Sequence, residues 1–341
     1  MIRLAGSPEL YPLALERESV RLLRLSEADY TAASFLDERL IGRVAAAGSV
    51  PFAELASAAE GSTGESDFIF HLGHVGSTLL ARLLGRSPTI FALREPAILR
   101  TLASEEESVG RTRRLAVMLR LYARVWRADQ RSLVKTTSLV SDLGGFCLEA
   151  ASSAKAILMV CGPQTFIAGI LAGEATMAEL VPSTPRRLAR LSKRLGSAPA
   201  PPTGPGEMAA AAWTGEIASL AAIARAHPSR VLWLDFDRFL ADPRSALIRV
   251  LAHLGRRDDP ARLIGEGDLE RYSKAPEHAF DAADRAAILA RAMVDQRSEI
   301  DRGIAWINRT ASQFPMLQEA FAVAGRGSRR ESPGMSAEPY R

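Results

Sequence analysis

Residues 68–80 read Phe-Ile-Phe-His-Leu-Gly-His-Val-Gly-Ser-Thr-Leu-Leu, and this stretch limits the fold more than any other. An apolar run with His71 inside it gives way to Gly73 and Gly76, then to Ser77, Thr78 and the leucines of a helix. A strand, a glycine turn and a hydroxylated helix start gather outward-facing amides at one point, where they attract an anion. The same residues would serve a bare strand-to-helix turn with an N-cap. The full Walker A spacing is absent, because no Lys stands before the hydroxyl residues and His74 lies earlier in the loop. These residues therefore predict a modified phosphate-binding loop without saying which phosphate it holds.

Further short apolar runs follow at 89–93, 133–134, 155–161 and 230–236, separated by segments with helical spacing. Helices are predicted from about 96, over 109–128, 140–152, 185–194 and 207–226, and from Pro243 with Asp242 as N-cap. Ahead of the loop, 27–47 has helical spacing with Tyr30, Phe35, Leu36 and Leu40 on one face. Apolar strands alternating with helices predict an α/β fold, a three-layer parallel sheet with helices on both faces, of the P-loop-NTPase-like kind. Ligands of such sheets bind beyond the carboxyl ends of the strands. The glycine loop, Arg94-Glu95, Lys135-Thr136-Thr137 and Gly162 all fall at such ends, which favours phosphate binding over a bare turn.

Composition sets the remaining bounds. Residues 1–66 are expected to form a helical and stranded flap packed on the core, and 67–324 the α/β domain. The Pro-rich run 197–206 is expected to be a mobile loop, and 325–341 a disordered tail. The 43 basic residues nearly balance 39 acidic ones, for a net charge of +4, so nothing argues for nucleic acid. The cluster Arg186, Arg187, Arg190, Lys193 and Arg194 reads as a solvated helix face, or as a collector of an anionic substrate or of a nucleotide's second phosphate. Two cysteines, Cys147 and Cys161, in apolar surroundings read as buried thiols. With no signal-peptide core and no membrane-length apolar run, a cytoplasmic protein without membrane association is expected.

Taken together, these motifs resemble the sulfotransferase superfamily, in particular its divergent bacterial members. Gly73-His-Val-Gly-Ser-Thr78 is similar to the family's first motif, with His74 in place of the usual Arg or Lys and Val75 in place of the usual Ser. Lys135-Thr-Thr-Ser138 resembles the family's Lys-Thr segment, and 231–255 its late strand, acidic turn and Leu-Gly helix. Coverage runs over 67–255, and 272–276 extends it.

The resemblance implies 3'-phosphoadenosine 5'-phosphosulfate (PAPS) as donor and no metal. Gly73, Val75, Gly76, Ser77, Thr78, Ser273 and Lys274 would hold the donor. Glu95 would be the general base for the hydroxyl or amine of a small-molecule or peptide acceptor, with His74 and Lys135 neutralising developing charge. Thr137 stands where some relatives carry a catalytic His. The family's Arg-Asp-Pro after the fourth strand, which helps hold the 3'-phosphate, is here Cys161-Gly-Pro163, and the Ser that follows is missing from 167–170. A Mg²⁺-dependent kinase of P-loop fold, or a degenerate nucleotide- or partner-binding protein, therefore stays open, as does a homodimer. Asp235 and Asp237 are expected to support a turn.

Overall fold

The structure, a computed structural model, describes residues 6–265, 267, 269 and 281–329. Ser273 and Lys274 lie outside them.

Strands β1 (Leu10–Glu16), β2 (Ser19–Arg24) and β3 (Ala45–Pro51) make an antiparallel sheet in the order β1-β2-β3. A second sheet holds β4 (Ser66–His71), β5 (Ile90–Arg94), β6 (Arg131–Lys135), β7 (Ala156–Val160) and β8 (Val231–Asp235). It is parallel throughout, in the order β5-β6-β4-β7-β8. β4, β5 and β7 are buried along their whole length, which is why they read as unbroken apolar runs rather than alternating ones. The step from β4 to β5 crosses the sheet one way and the later steps cross it the other way. Right-handed crossovers then place the intervening helices on opposite faces. The expected three-layer α/β architecture is what the chain adopts.

Several elements differ from the sequence expectation. The helix expected over 27–47 is only Glu27–Ala32, followed by a short 3-10 turn and then β3. Tertiary pairing overrides the helical bias of Ala45, Ala46 and Ala47, since β3 lies along β2 and Gly48 takes a φ of +83°. The helix over 109–128 ends at Tyr122. That over 140–152 is a 3-10 turn, Ser138–Leu143, and a short helix, Gly144–Glu149.

The Pro-rich run at 197–206 is tied down despite its composition. Trp306 Nε1 donates to the Ala200 carbonyl at 3.0 Å, the Thr203 amide to Glu207 at 2.7 Å, and the Gly206 amide to Glu299 at 3.0 Å. The last described helix, Pro315–Arg329, runs past Gly325, because Leu317, Ala320 and Ala324 are buried and carry it on.

Candidate active site

The parallel sheet sets the site by register. Ile69 on β4 pairs with Lys135 on β6, and Lys135 pairs in turn with Arg94 on β5. The loop, Lys135 and Glu95 therefore leave three adjacent strands at the same edge, as the strand-end argument requires.

The loop itself is shaped by backbone. Gly73 and Gly76 have φ of +91° and +62°, and His74 has +54° although it carries a side chain. Gly76 also admits no alternative, because a Cβ there would stand 2.0 Å from Phe236 Cε2. Ser77 and Thr78 open the helix Ser77–Leu84, and both are buried. Among the described residues Thr78 Oγ1 has no hydrogen-bond partner, and neither has the buried Thr137 Oγ1 beyond β6. A buried hydroxyl left unpaired costs about 1–3 kcal/mol. Two of them at the edge where the loop opens fit a ligand rich in oxygen. Val75 is fully buried and can offer only its backbone, whereas the His74 side chain is exposed.

His71 is a member of the site that the sequence reading passed over. It is 5% exposed, and both ring nitrogens are engaged. Nδ1 accepts the Gly73 amide at 2.9 Å, which leaves Nε2 to carry the proton and donate to the Thr136 carbonyl at 2.7 Å. This assigns the neutral ring with its proton on Nε2. One imidazole thus ties the first turn of the loop to the strand end that bears Lys135. The visible signal was a lone His inside a fully buried strand.

Lys135 is 1% exposed and forms an ion pair with Glu95 Oε1. Glu95 has a φ of +53°, and its amide donates to the Lys135 carbonyl at 2.7 Å, so backbone and side chain hold the same two residues together. A non-glycine residue in the left-handed region is uncommon, and such strain gathers at functional sites. Lys135 has three donors, so it can keep Glu95 and still reach a ligand oxygen.

Arg94 has a different task. Its Nε donates to the Ala33 carbonyl at 2.7 Å, and Nη2 to Thr31 at 2.8 Å and to Tyr30. It closes the carbonyl end of helix Glu27–Ala32. Burial, with the nearby charge of Arg82 adding to it, pulls its pKa down to about 10.

At the far side of the edge, Asp235 caps helix Phe236–Ala241, so the turn role expected of it holds. Asp237 instead pairs with Arg285 at 2.6 Å. The Arg285 guanidinium lies 4.7 Å from the centre of the Phe236 ring, the same ring that closes over Gly76. Its charge also reaches Cys161 at the end of β7. No sequence motif marks this arginine.

The arginine cluster at 186–194 is not a plain solvated face. Arg187 and Arg190 both bond the buried Glu216, at 3.0 and 3.3 Å, and Arg190 and Arg194 both bond Asp142, at 2.6 and 2.9 Å. Their charge is spent in packing helix Glu174–Leu195 against helix Pro205–Ala226 and the turn after β6. Among the described residues no three His, Cys, Asp or Glu side chains gather to hold a metal ion.

No protein-family model matches the chain, and no curated protein matches it by sequence. Among solved structures, a sulfotransferase domain from the curacin biosynthetic pathway is 14% identical, covers 77% of this chain and 96% of its own, and gives a TM-score of 0.41. A Mycobacterium avium sulfotransferase is 10% identical over 71% of this chain and 79% of its own, at 0.42. A mouse sulfotransferase solved with PAP is 14% identical over 79% and 93%, at 0.39. With these TM-scores below 0.5, the reading of function rests on the chain's own residues.

Proposed function

We propose that the chain is a sulfotransferase that passes the sulfuryl group of PAPS to a hydroxyl or amine of a small-molecule or peptide acceptor. The observation that carries this reading is the buried Lys135–Glu95 pair at the same sheet edge as the glycine loop with its unpaired Thr78 hydroxyl. The loop amides with Ser77 and Thr78 hold the 5'-phosphosulfate. PAPS supplies the sulfuryl group and a phosphate that leaves readily.

Glu95 takes the proton as the acceptor oxygen or nitrogen bonds to sulfur, while the bond from sulfur to the bridging oxygen breaks. Lys135 meets the negative charge that appears on that oxygen, and it does so from a dry position where charge is poorly screened. His74, exposed on the loop, adds charge only when protonated. Arg285, on the late helix Ala282–Asp295, would take the 3'-phosphate in place of the arginine that the resemblance expects after β7.

A thermal-shift panel tests this. 3'-Phosphoadenosine 5'-phosphate (PAP) is expected to raise the melting temperature without Mg²⁺, and Ser77→Ala with Thr78→Ala to abolish the shift. No stabilisation at millimolar PAP would sink the donor assignment, and stabilisation by ATP only with Mg²⁺ would move it to a kinase.

A further inference from the structure

The segment just after helix Glu27–Ala32 is fastened to the catalytic edge at four points. The Leu36 amide donates to the Arg94 carbonyl at 2.8 Å, and the Ala97 amide to the Leu36 carbonyl at 3.1 Å, so residue 36 brackets the Glu95 turn. Arg82, from the loop helix, donates to Ser34 Oγ at 2.8 Å, and Arg100 pairs with Glu38 at 3.3 Å.

On this fixed segment sits Arg39, whose side chain is 55% exposed yet held in place from two sides. Its guanidinium carbon lies 3.6 Å over the Phe35 ring. Its Nε donates to both Asp37 oxygens, at 2.8 and 3.1 Å, and its Nη2 donates to Asp37 as well. Asp37 is itself buried and also caps the turn Glu38–Leu40.

An exposed arginine normally sweeps through many rotamers, and fixing one costs entropy in advance of any ligand. Here the stacking and the paired carboxylate have already done so. Asp37 occupies one edge of the planar guanidinium. The distal edge, with one hydrogen on Nη1 and one on Nη2, has no partner among the described residues, and two parallel N–H donors there match a carboxylate. Leu36 fastens the segment to Arg94 and Ala97 on either side of Glu95, which brings Arg39 to the same edge as the base, and each side chain has its own counter-ion, Asp37 for Arg39 and Lys135 for Glu95.

We infer that Arg39 is the anchor of the acceptor subsite and that the acceptor is an anionic molecule, a hydroxy- or amino-carboxylic acid, whose carboxylate docks on the distal edge of Arg39 while its nucleophile faces Glu95. This rests on Glu95 being the base of a sulfotransferase. Arg39 acts by placing the acceptor and takes no proton.

The test uses the whole chain, with 2-, 3- and 4-hydroxybenzoate as probes and the matching hydroxybenzamides as neutral partners. Binding is followed by calorimetry with and without PAP, and sulfuryl transfer by release of PAP from PAPS. At least one hydroxybenzoate is expected to bind about tenfold more tightly than its amide. Arg39→Met is expected to erase that preference by raising KM for the acid with kcat little changed, and Arg39→Lys to restore part of it. PAP stabilisation should be equal in wild type and Arg39→Met, so a failed donor assignment shows separately from a failed anchor. The inference is overturned if wild type does not distinguish acids from amides, or if Arg39→Met weakens both alike.

Discussion

The two halves of the sheet edge that carries the candidate site are built differently. On the β5-β6-β4 side, the groups proposed for the chemistry and the donor come from a strand end or the turn just beyond it: Glu95, Lys135, Thr137 and the loop. On the β7-β8 side the strand ends are apolar or serve as caps. The cation there is Arg285, which arrives from a helix late in the chain and is held by Asp237 and Phe236. The first half is a site written into the sheet, where backbone register fixes positions. The second is assembled by tertiary packing. That contrast predicts that chemistry fails when the first half is altered, whereas donor selection changes when the second is.

The largest effects belong to the Lys135–Glu95 pair. Glu95→Gln is expected to slow sulfuryl transfer by roughly 100- to 10,000-fold, as loss of a general base does. Lys135→Met is expected to cost about 3–5 kcal/mol of stability, because it leaves Glu95 without its partner in a largely buried place. Urea unfolding of both single variants and of the double variant measures the coupling. The double variant should be less destabilised than the sum of the singles. Additive losses would show that the two charges are solvated and that the first half is not a unit.

A smaller effect separates binding from folding within the same half. Thr78→Val removes a buried hydroxyl that has no partner among the described residues while keeping its shape. Melting of the free protein should stay level or rise, and PAP affinity should fall by about tenfold, the value of one hydrogen bond to a charged group. A variant that loses stability without ligand would mean that the hydroxyl serves the fold alone.

The second half is probed by Arg285→Met. PAP is expected to bind about tenfold more weakly, whereas AMP, which lacks the 3'-phosphate, should bind wild type and variant alike. Equal losses for both nucleotides would remove Arg285 from the 3'-phosphate and leave it as the partner of Asp237.

How much of this was legible in the sequence follows the same divide. The strands were readable because full burial on both faces of a parallel sheet demands unbroken apolar runs, as in 156–160. Gly73, Gly76, Ser77 and Thr78 were readable as a strand-to-helix turn because such a turn uses adjacent residues. Glu95 and Lys135 followed from their places at strand ends. Arg285 was not readable, since its neighbours Cys161, Phe236 and Asp237 are far from it along the chain and only packing joins them. Arg94 stood beside Glu95 in the sequence and yet serves a helix end, because β5 ends at Arg94 and the left-handed turn at Glu95 separates the two side chains. Arg187 and Arg190 read as surface charges because their partner, Glu216, lies buried on a different helix.

The smallest expected effect concerns Cys161, the one group at the end of β7 with nucleophilic chemistry of its own. Burial, and then the negative charge of Asp237, raise its thiol pKa well above the ordinary range, with Arg285 opposing only in part. The thiol therefore stays protonated at neutral and mildly alkaline pH, and a protonated buried thiol is a poor nucleophile. Iodoacetamide at pH 8 should leave Cys161 unmodified in the folded protein and label it once guanidinium unfolds the chain, as read by mass spectrometry. Cys161→Ala should change PAP affinity by less than twofold, a small fraction of the Arg285→Met effect. Rapid labelling of the native protein that PAP suppresses would invert the comparison. It would place a reactive thiolate, rather than an arginine borrowed from helix Ala282–Asp295, as the working group of the second half.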